Sequence, residues 1–209
     1  QCAIDAALAV GGDRWASRVA PGGDTEALRD RWGSACRRAV WGAEALLART
    51  RRRPLRGHIR CSIERIGGEL ALRAPVLGSS DYNARNIVIS PQGEAFFLEF
   101  SKLSWDWTER RLVQYTTCMG SGRHQGVMRS LLDARAARLY TELQGFDALR
   151  ALDGHQVIFL LNAAATLCAA LDRPTEPAHA ALLRAWQNPP QRLQILAEAL
   201  GTPLSNDEQ

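Results

Sequence analysis

The sequence predicts a mostly helical α+β fold: one long helix, then two β-hairpins, then a helical bundle. Three observations carry this reading. Residues 24–49 place apolar side chains at helical spacing. Residues 58–100 alternate apolar and polar side chains around two turn signals. From Thr108 onward the apolar pattern is helical to the end of the chain. With 209 residues, 46% of them apolar, the chain is long and apolar enough to bury one sizeable core.

Taken in order, residues 1–23 contain Gly11-Gly12, Gly22-Gly23 and Pro21, and read as a linker or tail. The domain spans residues 24–203, and residues 204–209 read as a solvated tail. Asp24-Thr25-Glu26 starts the first helix, with Leu28, Trp32, Ala35, Ala39 and Leu46 on one face. The Arg51-Arg52-Arg53-Pro54 block ends it, with the cations matching the negative end of the helix dipole.

Residues 58–65 and 69–73 read as a hairpin turning at Gly67-Gly68. A second hairpin, residues 87–90 and 95–100, turns at Pro91-Gln92-Gly93. Helices follow near 108–119, 124–144, 147–151, 155–171, 176–187 and 190–200. Asp153 is read as the cap of the apolar helix, and Pro174, Pro189 and Pro190 as breaks between the later ones.

Composition narrows the function classes. The net charge is +4, and of 26 basic residues 25 are Arg and one is Lys102. This Arg bias is read as genome composition, so no nucleic-acid role is assigned to it. The five cysteines are scattered and none has CxxC or metal-ligand spacing, which points to a reduced, cytoplasmic setting. The apolar run Val157-Ile158-Phe159-Leu160-Leu161 is too short for a bilayer, and no signal-peptide pattern is visible. His58, His124, His155 and His179 lack zinc spacing. Ser121 lies outside any nucleophile elbow, so Gly120-Ser121-Gly122 reads as a turn.

The chemistry concentrates at Ser79-Ser80-Asp81-Tyr82-Asn83-Ala84-Arg85-Asn86. This stretch runs into the apolar strand Ile87-Val88-Ile89 and, after the turn, into Phe96-Phe97-Leu98-Glu99-Phe100. Phosphoryl transfer needs one carboxylate to orient the attacking hydroxyl, and an amide oxygen with a second carboxylate to hold magnesium. Asp81, Asn86 and Glu99 supply that set. Asp81 and Asn83 also suit an Asx-rich turn between strands.

At these residues the chain resembles the C-terminal lobe of the aminoglycoside phosphotransferase and choline kinase group, within the protein-kinase-like fold. The resemblance implies Asp81 as catalytic base, Asn86 as magnesium ligand and Glu99 as the second ligand, a position usually held by Asp. It implies ATP and Mg2+ as cofactors and a small-molecule hydroxyl as substrate.

Ser79 stands at the family's histidine position, and Glu99 carries its carboxylate about 1.5 Å further than Asp would. No glycine-rich phosphate loop and no strand lysine precede Asp81. An N-terminal lobe would therefore come from missing sequence or another chain. The alternative is a non-catalytic kinase-like module used for binding or assembly. In the family, an acid after the second metal ligand ties the loop to a helix. Asp106 or Glu109 would play that part, paired with Arg110, Arg111 or Arg85. The tryptophans of Trp105-Asp106-Trp107 read as core or interface anchors.

Overall fold

Helix α1 (Thr25–Ala48) and helix α2 (Arg56–Ala71) pack on each other ahead of a short strand β1 (Val76–Ser79). Then come β2 (Ile87–Ile89), β3 (Ala95–Phe97) and β4 (Leu103–Asp106), and five helices: α3 (Thr108–Thr116), α4 (Ala134–Gln144), α5 (Phe146–Asp172), α6 (Pro177–Ala185) and α7 (Pro189–Ala199). This computed structural model describes residues 25–49, 56–79, 87–97, 103–116, 134–185 and 189–199. The mostly helical α+β class is as the sequence predicts.

Helix α5 organises the molecule. It touches every other helix. One face of it, with Ala151, Ile158 and Leu161, joins Leu28, Trp32 and Ala39 of α1, Ile63 and Leu70 of α2, and Trp107 in one core cluster. Another face, with Leu160, Ala164, Leu167 and Cys168, packs on Leu46 and on Leu193, Leu196 and Ala197 of α7. A helix apolar on all sides needs partners on all sides. Gly42 allows the closest approach of α1: a Cβ there would lie 2.0 Å from the Leu161 carbonyl oxygen.

Gly145 makes the turn from α4 into α5. Its φ of 85° is in the left-handed region, and its N–H donates to Thr141 O at 2.8 Å.

The strands form two separate antiparallel ladders. In one, Val76 pairs with Asp106 and Ser79 with Leu103. In the other, Ile87 pairs with Phe97 and Ile89 with Ala95. This second ladder is the hairpin predicted around Pro91-Gln92-Gly93. Its turn is closed by Gly93 N–H to Ser90 O at 2.9 Å and Ser90 N–H to Glu94 O at 2.8 Å.

The other predicted hairpin is corrected. Residues 58–71 are helical within α2. Ile59, Ile63, Ile66 and Leu70 recur at helical spacing and pack on the α1–α5 core. Gly67 serves close approach rather than a turn. Trp32 Nε1 donates to its carbonyl at 2.9 Å, and a Cβ on Gly67 would lie 2.6 Å from Cys36 Sγ.

A second correction concerns helices 147–151 and 155–171, which are one continuous α5. Asp153 therefore sits within the helix and caps nothing. Gly154, next to it, receives Ile66 and Leu70, whose methyls would be 3.2 Å from a Cβ there. The run 157–161 alone is too short for a bilayer. The 27-residue helix containing it is long and apolar enough to cross one, but over half of that window is buried inside the bundle. Core packing accounts for its apolar character.

Candidate functional site

The three motif residues, Asp81, Asn86 and Glu99, lie outside the described residues, as do Arg85 and Lys102. The strands that carry their segments are described. Residues 80–86 connect the end of β1 to the start of β2, and residues 98–102 connect the end of β3 to the start of β4. The strand ends they leave from are paired: Ser79 with Leu103, and Ile87 with Phe97. Asn86 directly precedes Ile87. Both segments thus span the same two ladders.

A polar network fastens the first ladder to the bundle. Asp106, buried at the end of β4, accepts the Trp107 N–H at 2.8 Å on Oδ1. Arg110, one turn into α3, grips it with a fork: Nε at 2.8 Å from Oδ1 and Nη2 at 2.8 Å from Oδ2. An acid at the start of a helix also faces the positive end of its dipole. Of the pairings considered for Asp106, the one formed among the described residues is with Arg110, and it fixes the end of β4 to α3.

Glu109 is buried and takes a different partner. Arg73, in the turn between α2 and β1, donates to its Oε1 at 2.9 Å. Trp107 Nε1 closes the same corner by donating to Arg73 O at 2.8 Å.

Arg111 reaches across both strands of the ladder. Its side chain is buried, and Nη2 donates to Val76 O and Ser104 O, each at 2.7 Å. One guanidinium therefore braces β1 and β4 together. The sequence placed Arg111 among the candidate partners of an acid, because nothing local signals a bond to strand carbonyls 35 residues away.

Behind this network is an aromatic cluster. The rings of Trp32 and Trp107 have centroids 5.4 Å apart in an edge-to-face arrangement. His155 of α5 completes it, at 4.9 Å from Trp32 and 5.6 Å from Trp107. Both imidazole nitrogens are buried without a hydrogen-bond partner among the described residues. Burial pushes the His155 pKa down to about 3, with Arg110 and then Arg73 adding repulsion. His155 is therefore neutral and structural at ordinary pH. The sequence considered it only as a zinc ligand. Its place one turn from Ala151 on the α5 core face was the available signal.

Among the described residues no group of three His, Cys, Asp or Glu side chains could hold a metal ion. A cleft of about 470 Å3 lies between α2 and the start of α5, with Arg73, which precedes β1, on its rim. No family model, curated protein or solved structure matches this chain.

Proposed function

We propose that this chain is the catalytic lobe of an ATP- and magnesium-dependent phosphotransferase acting on a small-molecule hydroxyl. The observation that carries the reading is the pairing of strand ends around the motif. The Asp81–Asn86 segment and the Glu99 segment each run between the same two antiparallel ladders. A loop bearing a base and two metal ligands requires such convergence of separate segments.

In this reading the Asp81 carboxylate orients the substrate hydroxyl and accepts its proton as the oxygen attacks the terminal phosphoryl group. The Asn86 amide oxygen and the Glu99 carboxylate hold Mg2+, an all-oxygen donor set that suits this hard cation. A magnesium ion held by these two residues would supply charge neutralisation for the transferring phosphate. Asp106, Arg110 and Arg111 keep β4 and β1 in register so that the two segments stay opposed. The substrate lies against the helices after residue 108. The nucleotide's other walls come from a further lobe, in the same polypeptide or another chain.

A second reading is a non-catalytic kinase-like module for binding or assembly. It is favoured by one observation: the only lysine, Lys102, follows Glu99 instead of preceding Asp81. Nucleotide titration of the full-length protein separates the two. The enzyme predicts micromolar ATP affinity that requires Mg2+ and drops at least tenfold in Glu99→Ala. Absence of magnesium-dependent binding sinks the enzyme reading and favours the module.

A further inference from the structure

We propose that the seam between α2 and α5 is a binding site for a free single-chain amphiphilic anion, with its charged head at an arginine-rimmed cleft and its apolar chain in an adjoining groove. This site is distinct from the motif loop and does not depend on the phosphotransfer reading.

Two cavities meet along this seam. The first is the cleft of about 470 Å3, within the size range of small-molecule sites. Its rim carries Arg65, Arg73 and Arg150 against Glu69 and Asp147, and its floor is Ile66, Leu70 and Ala151. The second is a groove of about 180 Å3 between α1, α2 and α5, walled by apolar side chains such as Leu46, Ile63, Val157 and Leu161. Ile66 lines both, so the charged rim and the apolar groove lie next to each other along the seam.

The occupant follows from the chemistry of each part. Apolar walls favour an apolar occupant, because water finds few partners there. Leu46, Ile63 and Leu161 form its buried side and Ser62 stands at its open edge, so the space is a half-open groove that fits one chain, not a bilayer surface.

At the rim, Arg73 is already matched by Glu109, which leaves Arg65 and Arg150 facing Glu69 and Asp147. Arg73 is held in place by Glu109 at 2.9 Å and spans towards the Asp147 carbonyl. Arg65 has only a loose contact with Glu69, at 3.6 Å. Arg150 has no ion pair among the described residues. Asp147 lies in the first turn of α5, where the helix dipole offsets its charge. Arg150 is thus the guanidinium left to meet an anionic head, and guanidiniums bind carboxylate or phosphate in a fork. Gly154 keeps the floor tight, because Ile66 and Leu70 rest directly over it.

Calorimetric titration with acetate, hexanoate and decanoate tests this on the full-length protein. Affinity should rise with chain length by up to about fourfold per methylene, the equivalent of 0.8 kcal/mol each, until the groove is filled. Decanol and decyltrimethylammonium should bind at least tenfold more weakly than decanoate. Arg150→Glu should cost at least tenfold in decanoate affinity. Ser62→Trp, on the exposed lip of the groove, should abolish the chain-length gain. Both positions are exposed, so thermal melts matching the parent protein are expected.

Several results overturn the proposal: no saturable decanoate binding at millimolar concentration, equal affinity in both variants, or tighter binding of the cationic amphiphile. Sedimentation with phosphatidylglycerol vesicles, with no binding of free decanoate, would likewise overturn it in favour of a membrane surface.

Discussion

Replacing His155 by Phe should flatten the acid limb of the stability curve. His155 titrates near 6.5 when unfolded but near 3 in the folded protein, where two indoles and two guanidinium-bearing side chains surround it. Between those values the unfolded chain binds a proton that the folded chain refuses. Stability present above pH 6.5 is therefore lost as the pH falls towards 3. At pH 5 the unfolded imidazole is about 30-fold more protonated than neutral, which costs about 2 kcal/mol; the full window costs about 5 kcal/mol.

Phe keeps an aromatic ring in the cluster and cannot titrate. Because the imidazole makes no hydrogen bond among the described residues, removing it forfeits none, and the variant should be at least as stable as the parent at pH 8. Urea unfolding at pH 8, 6.5 and 5 is the assay. Going from pH 8 to 5, the parent should lose about 2 kcal/mol more than His155→Phe. Effects of surface carboxylates cancel in that difference. Equal losses, to within about 0.5 kcal/mol, would refute the burial argument.

Three further outcomes test the frame. Gly42→Ala should destabilise the fold by about 3 kcal/mol, read by chemical denaturation, because the new methyl meets the Leu161 carbonyl. Arg111→Met should cost about 3 kcal/mol by stranding the Val76 and Ser104 carbonyls, with Arg111→Lys recovering part of it in the same assay. Glu109→Gln should cost about 1–2 kcal/mol in thermal unfolding, since its carboxylate is buried while Arg73 keeps partial access to water.

The parts of the fold that were legible in the sequence are those set by local chemistry. The periodicity of Leu28, Trp32 and Ala39 marked α1, and Pro91-Gln92-Gly93 marked the β2–β3 turn. The pairing of β1 with β4 was not legible. Its strands are four residues each and 27 positions separate Val76 from Leu103, so no local pattern reports it. Gly67-Gly68 looks like a turn signal, yet Gly67 is a place where a neighbouring helix presses against the backbone.

The candidate site divides in the same way. The Asp106–Arg110 tie was readable because its partners are four apart in sequence, across the junction of β4 and α3. The Arg73–Glu109 and Arg111–Val76 contacts span more than 30 residues and emerge only from the tertiary fold. The motif itself, Asp81, Asn86 and Glu99, remains a reading of residue type and spacing, now flanked by paired strand ends.

The most direct measurement of the central claim is the steady-state rate of magnesium-dependent ATP turnover by the full-length protein and its Asp81→Asn variant. Loss of a general base that receives the hydroxyl proton predicts a fall in kcat of about 100- to 10,000-fold, with the thermal melt unchanged. An Asp81→Asn protein that turns over ATP at the parent rate would contradict the assignment.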